Sequence, residues 1–133
     1  MANPITKDLG TVPLFAELPA ADREFLARNL DELSFPAGET LITEGNANHT
    51  FFVLRAGEVE VQVPGGPVRR LGPGEFFGEI SMDQHVPAIA SVVARTPVTA
   101  WVMSHTQFRA VKGNEAVLLR LRTAMVDRLL ANR

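Results

Sequence analysis

The chain has 133 residues, a length typical of one domain with its own hydrophobic core. It has 46% hydrophobic residues, 21% charged residues and a formal net charge of -2, so no basic excess favours nucleic-acid binding by this chain. It contains no cysteine, which excludes disulfides, thiol catalysis and cysteine-ligated zinc. We find no apolar run of transmembrane length and no signal-peptide pattern, and we expect a cytoplasmic protein with no membrane segment.

The first 32 residues are predicted to form an N-terminal helical part. Val12–Leu18 has apolar residues at helical spacing and is interpreted as one turn packed on the core. Pro19 is predicted to open a helix that reaches about Leu30, because proline suits the first helical turn. Phe25 and Leu26 are its predicted buried residues, together with Leu30.

Residues 33–103 are predicted to form strands. Glycine and proline turn signals recur there about every ten residues, with short apolar runs between them. Glu58–Val63 alternates strictly between polar and apolar residues, so one side of that strand is predicted to be buried. Many short strands joined by glycine turns are typical of a small barrel or jelly roll.

Residues 104–132 are predicted to form two C-terminal helices. Ser104 and Gln107 fit a capping box at the first, and Asn114 is the predicted cap of the second. The second helix carries an apolar stripe with a wide flank. The stripe consists of Leu118, Leu121, Met125 and Leu129, and the flank of Leu119, Val126 and Leu130.

The segment Leu71–Val93 contains a pattern suited to a sugar phosphate. Gly78 permits a tight turn, and the backbone N–H groups of Ile80 and Ser81 at a helix start are donors for phosphate oxygens. Glu79 would repel a phosphate, but its carboxylate suits a hydrogen bond from a neighbouring sugar hydroxyl. Together these residues indicate a sugar phosphate instead of a bare anion.

Gly78-Glu79-Ile80-Ser81, followed after six residues by Ala88-Ile89-Ala90-Ser91-Val92, resembles the phosphate-binding cassette of the cyclic nucleotide-binding domain family. Phe35–Glu39 and Phe52–Val59 are similar to the first turns and the central hairpin of that family. The resemblance implies a single α+β, mainly β domain over 1–133, with a jelly-roll-like antiparallel β-roll of about eight strands. It places a helical part at 1–32, the β-roll at 33–103 with its cassette at 77–91, and two closing helices at 104–132.

The resemblance also implies roles for individual residues. Glu79 would bind the ribose 2′-hydroxyl, Gly78, Ile80 and Ser81 would supply the backbone anion site, and Ser91 would contact phosphate or base. The implied hydrophobic wall consists of Val61, Phe77 and Val93. The implied ligand is a cyclic nucleotide, with cAMP favoured over cGMP, and no covalent cofactor is expected.

One position departs from the family pattern: Ala88 stands where the family has an arginine that pairs with the cyclic phosphate. A charge-assisted hydrogen bond contributes about 1.5–3 kcal/mol, or about 10- to 200-fold in affinity. We therefore expect weakened binding unless another cation replaces the arginine. Arg122 is one candidate, because helical spacing places it inside the apolar stripe, although a solvated edge position or a dimer contact explains it as well.

His85, Arg69 and Arg70 are further candidates for that cation, since they lie near the cassette in sequence. Arg69 and Arg70 are neighbours on a predicted strand and therefore point to opposite faces. His85 has the alternative interpretation of a surface loop residue.

Two other classes of function remain as alternatives. An enzyme is not expected, because His49, His85 and His105 are far apart in the sequence, in predicted turns or caps and without metal-ligand spacing, and no nucleophile elbow is present. A degenerate domain that binds no ligand and acts in dimerisation or protein–protein contact is the alternative to a signal-transducing sensor. The resemblance implies that the last helix can pair with its twin in a homodimer, and the protein partner is unknown.

Overall fold

In the computed structural model, which describes residues 9, 12–16, 18–78 and 86–131, the chain divides into two units. Residues 32–105 form one, here called the strand unit. The segments up to residue 31 and from residue 106 form the other, the helical unit.

Eight strands lie within the described ranges: β1 Asp31–Phe35, β2 Thr40–Ile42, β3 Thr50–Ala56, β4 Val59–Gln62, β5 Val68–Leu71, β6 Phe76–Phe77, β7 Ser91–Ala94 and β8 Val98–Ser104. They form two four-stranded sheets, with the orders β1-β8-β3-β6 and β2-β7-β4-β5. The recorded registers of both sheets are antiparallel. The predicted antiparallel β-roll of about eight strands, with flanking helices, is confirmed.

The core of the strand unit lies between the two sheets. β3 is rich in aromatic and β-branched residues, which pack well on a pleated surface. One continuous buried cluster takes residues from both sheets, so the sheets pack face to face. Its members are Ile42, Phe52, Leu54, Val59, Leu71, Phe77, Ala88, Val92, Ala94, Val98, Ala100 and Val102.

The predicted alternation along Glu58–Val63 is confirmed in β4. Val59 is fully buried in the core cluster, and the next residue, Glu60, points to the opposite face. There Glu60 Oε2 forms an ion pair with Arg95 Nε at 3.3 Å, and Glu60 Oε1 accepts a hydrogen bond from Gln62 Nε2. One face of this sheet is thus apolar and the other charged.

The described helices are α1 Pro13–Ala16, α2 Ala20–Arg28, α3 His105–Lys112 and α4 Glu115–Ala131. Pro19 lies immediately before α2, as predicted, and Leu26 and Leu30 are buried. Asn114 caps α4, because its Oδ1 accepts a hydrogen bond from the Val117 N–H at 3.2 Å. None of the helices in these ranges is both long and apolar enough to cross a membrane.

The apolar stripe of α4 is narrower than predicted where its side chains are described. Val117 and Leu121, four residues apart, are buried. Leu119, predicted to widen the stripe, is 67% exposed, because a helix turns it about 200° away from Val117. Arg122, predicted to lie inside the stripe, is exposed as well. The side chains of Met125, Val126, Leu129 and Leu130 lie outside the described part.

Candidate functional site

The structure describes the predicted cassette, residues 77–91, only at its two ends. Glu79, Ile80, Ser81 and His85 lie outside the described residues, so the roles implied for them remain predictions. The chain enters the cassette through Phe76–Gly78 and leaves it through residues 86–91.

Gly78 lies against the protein's own backbone. Its φ is +91°, a conformation that L side chains rarely adopt, and an added Cβ would lie 2.5 Å from the Thr50 carbonyl oxygen. Asn48 fixes this approach, since its Nδ2 donates to the carbonyl oxygens of Thr50 at 2.8 Å and of Gly78 at 3.1 Å. The glycine therefore serves the close contact between the cassette entrance and β3.

Sequence reasoning missed the role of Asn48. Its Oδ1 accepts a hydrogen bond from the Thr50 N–H at 3.2 Å, the local turn that asparagine commonly forms with the backbone two residues ahead. This preference of asparagine was the feature of the sequence from which the turn could have been predicted. The contact with Gly78, thirty residues further along the chain, had no signal in the sequence.

Phe77 is a core residue. Only 2% of it is exposed, and its ring stacks on Phe52 with centroids 4.7 Å apart and planes at 12°. Both rings belong to the buried cluster between the sheets. Phe77 thus anchors the entrance of the cassette to the core, and its predicted contact with a ligand remains untested.

Ala88 is held by its main chain beside the turn after β2. Its carbonyl accepts from the Gly45 N–H at 2.8 Å, and its own N–H donates to the Asn46 carbonyl at 2.9 Å. An antiparallel β-bridge joins the preceding residue, Pro87, to Ala47. The Ala88 side chain is 6% exposed and belongs to the buried cluster, so this position contributes a methyl group where the family pattern has a cation.

Ser91 opens β7, and its hydroxyl already has one partner. The Glu44 N–H donates to Ser91 Oγ at 3.0 Å. A hydroxyl has one proton to donate and can accept two hydrogen bonds, so this contact leaves its donor capacity for a ligand. Ser91 is opposite Gln62 and lies on the same face of the sheet as Val93, and its predicted contact with a ligand remains a prediction.

Val61 and Val93, both predicted to belong to one hydrophobic wall, lie on opposite faces of their sheet. Val61 is opposite Val92, whereas Val93 is opposite Glu60. Directly opposed residues of antiparallel strands share a face, and neighbours along a strand do not. Val61 therefore lies on the core side and Val93 on the charged side, and the two do not share a wall.

Arg69 and Arg70, two of the three candidate arginines, lie on opposite faces of their sheet. Arg69 is opposite Val61 and shares its face, whereas Arg70 is opposite Glu60. Both are exposed. Arg122 is exposed on α4 in the helical unit, and its predicted contact with the ligand remains a prediction.

Two of the histidines, His49 and His105, are distant in sequence but close in space. The ring centroids of His49 and His105 are 6.2 Å apart with planes at 75°. Thr50 is opposite Ser104 in the β3–β8 register, which brings together the residues just beyond the two strand ends. Among the residues that the structure describes, no group of three histidine, aspartate or glutamate side chains is placed to hold a metal ion.

The sequence model of the cyclic nucleotide-binding domain matches residues 32–131. The chain belongs to the cyclic nucleotide-binding domain family. The match extends from β1 to the last described residue of α4 and contains both flanks of the cassette. The cyclic nucleotide-binding fold inferred from the cassette motif is therefore the fold of this chain.

Individual proteins extend the comparison. The cAMP-dependent protein kinase regulatory subunit of Aspergillus fumigatus is 35% identical over 114 residues, which cover 84% of this chain and 28% of that protein. The chain thus spans less than a third of the length of such relatives. A cAMP-binding acyltransferase from Mycobacterium smegmatis has a TM-score of 0.74 and 30% identity, over 98% of this chain and 42% of that one.

A third similar protein is the regulatory subunit of a cAMP-independent protein kinase A from Trypanosoma cruzi, solved bound to guanosine. It has a TM-score of 0.71 and 25% identity, and the match covers 81% of this chain and 40% of that one. The proteins that resemble this chain therefore include a cAMP-binding acyltransferase and a kinase regulatory subunit bound to guanosine.

Proposed function

We propose that this chain is a regulatory module that binds a cyclic nucleotide, with cAMP favoured over cGMP, and binds it weakly. The observation that carries the proposal is the pair of described flanks. Gly78 is fixed against Thr50, Ser91 begins β7, and Ala88 contributes no charge. A cAMP-binding acyltransferase and a cAMP-dependent protein kinase regulatory subunit among the similar proteins support the choice of ligand.

The proposal treats residues 1–133 as one functional module, with a β-roll at 33–103 that contains the cassette at 77–91, and helices at 1–32 and 104–132. Binding would act by population shift, in which the ligand favours one arrangement of the last helix and thereby changes a partner surface. The role is regulatory and not catalytic, and the kinase regulatory subunits among the relatives support this. The cytoplasmic location expected from the sequence is part of the same proposal.

Titration calorimetry with cAMP and cGMP tests the proposal. We expect binding in the micromolar range or weaker, because the backbone donors, Glu79 and Ser91 remain and the phosphate arginine is missing. Absence of heat with millimolar cyclic nucleotide would reject it and leave the module that binds no ligand.

Ala88→Arg is expected to tighten cAMP binding by about tenfold or more, because it restores a charge-assisted hydrogen bond to the phosphate. Calorimetry on the variant and the parent chain measures the change. Ala88→Gln is the matched control, since it has a long polar side chain without the charge, and it should give little or no gain. Equal affinities of the Arg variant and the parent would show that another residue already fills this role.

An uncharged purine nucleoside is the second candidate ligand. The buried methyl group of Ala88 offers no charge for a phosphate, and the similar trypanosomal protein was solved bound to guanosine. Adenosine and guanosine belong in the same titration. Tighter binding of a nucleoside than of its cyclic nucleotide would favour this candidate over the first.

A purely protein-binding role is the third candidate, and the 67% exposure of Leu119 on α4 favours it. In this role the last helix would pair with its twin in a homodimer or bind another protein. Sedimentation of the chain with and without cAMP distinguishes the cases. A dimer that forms equally well in both, without any calorimetric signal, would support the protein-binding role alone.

A further inference from the structure

The core-facing side of the β2-β7-β4-β5 sheet changes character between two successive rows of residues. In the first row Val59 is opposite both Leu71 on β5 and Ala94 on β7. All three are buried and belong to the core cluster. This row closes the interior of the roll.

The next row on the same face consists of Val61, with Arg69 opposite it on β5 and Val92 opposite it on β7. Val92 is buried, Val61 is partly buried and packs against the core cluster, and Arg69 is exposed. Exposure therefore rises across the row towards the edge strand, which means that the apolar face opens to solvent here. Arg69 stands at this opening, one row from the closed core.

Arg69 is opposite an apolar residue, whereas Arg70 on the other face is opposite an acidic one. On the opposite face Arg70 is across from Glu60, which also pairs with Arg95 at 3.3 Å, so positive charges there face an acid. Arg69 faces the apolar side chain of Val61 instead, and none of the residues that the structure describes forms an ion pair with it. An arginine stem covers apolar surface well, while its guanidinium reaches beyond that surface for an anionic partner.

We propose that Arg69 binds the ligand's phosphate and compensates in part for the positive charge that Ala88 does not supply. This inference rests on the proposed function, because it needs a phosphate in the cassette. Two strand spacings place Arg69 about 10 Å from Val92, the residue after Ser91 at the end of the cassette. An extended arginine directed across Val61 covers most of that span, and its planar guanidinium pairs with two phosphate oxygens at once.

Arg69→Gln tests the proposal on the full chain, with Arg70→Gln as the matched control on the other face of the same strand. Calorimetry with cAMP, cGMP, adenosine and guanosine distinguishes recognition of the phosphate from recognition of the base. We expect Arg69→Gln to weaken both cyclic nucleotides about tenfold or more and to leave any nucleoside binding unchanged, because only the phosphate is recognised. Arg70→Gln should bind all four ligands as the parent chain does.

Three results would overturn it. Parent-like cAMP binding by Arg69→Gln would reject Arg69 alone and leave the proposed function intact. An equal loss for a nucleoside and its cyclic nucleotide would assign Arg69 to the base instead of the phosphate. A parent chain that binds no cyclic nucleotide would reject the proposed function and this inference together.

A double variant provides a second, independent readout. If Arg69 and an arginine at position 88 serve the same phosphate, Ala88→Arg should tighten cAMP binding more strongly in the Arg69→Gln background than in the parent chain. Additive effects would mean that the two positions act on different parts of the ligand. Thermal unfolding of each variant checks that it is folded, and the exposed position of Arg69 predicts little change.

Discussion

Phe77→Ala is expected to lower the free energy of unfolding by about 3–5 kcal/mol, since it removes a fully buried aromatic ring and leaves a cavity. The ring stacks on Phe52 at 4.7 Å, and both belong to the cluster that joins the two sheets. Denaturant unfolding followed by tryptophan fluorescence measures the loss, because Trp101 is buried in β8 next to β3.

Phe77→Leu is the matched control, because it keeps an apolar side chain and leaves a smaller cavity; it should cost clearly less. The pair also tests the ligand wall predicted from the family resemblance. A large loss of cAMP affinity with little loss of stability in Phe77→Ala would show that the ring serves the ligand more than the core.

Gly78→Ala is expected to lower the free energy of unfolding by about 2–5 kcal/mol, from the strained positive φ together with the forced shift of a backbone contact. The added Cβ would lie 2.5 Å from the Thr50 carbonyl oxygen, which belongs to β3 and has little freedom to move. Thermal or denaturant unfolding of the full chain measures the effect. Ligand affinity should fall too, since the entrance of the cassette must shift.

Gly38→Ala is the matched control for this variant. Gly38 has a φ of +90°, nearly that of Gly78, but an added Cβ there meets no atom within 4 Å. It should therefore show the conformational cost alone, about 1–2 kcal/mol. Equal losses in the two variants would contradict the importance of the contact with Thr50.

The β-roll was predictable because turn residues and alternation are local signals. The strict alternation of Glu58–Val63 correctly predicted which residues of β4 face the core, and Asn114 was correctly predicted to cap α4. The same parity rule placed Arg69 and Arg70 on opposite faces. It could not say which of them faces the core, because that depends on the register with β4.

What the sequence did not predict depends on contacts between distant segments. His49 and His105 meet because of the β3–β8 register, and Asn48 binds Gly78 across thirty residues. The family resemblance assigned Val93 to the same wall as Val61, yet their registers place them on opposite faces. Residue type indicates whether a side chain is buried, whereas predicting the face of the sheet on which it lies requires the register of the paired strands.

The two hydrogen bonds that hold position 88 to Gly45 and Asn46 use main-chain atoms only. Every residue except proline has the same main-chain donor and acceptor, so a substitution at this position keeps the groups that form both bonds. The ligand preference of such a domain can therefore diverge through a single exchange, provided that the core around this buried side chain accommodates the new residue. Within this fold, a domain that responds to a charged second messenger and one that accepts a neutral nucleoside can differ in sequence at few positions.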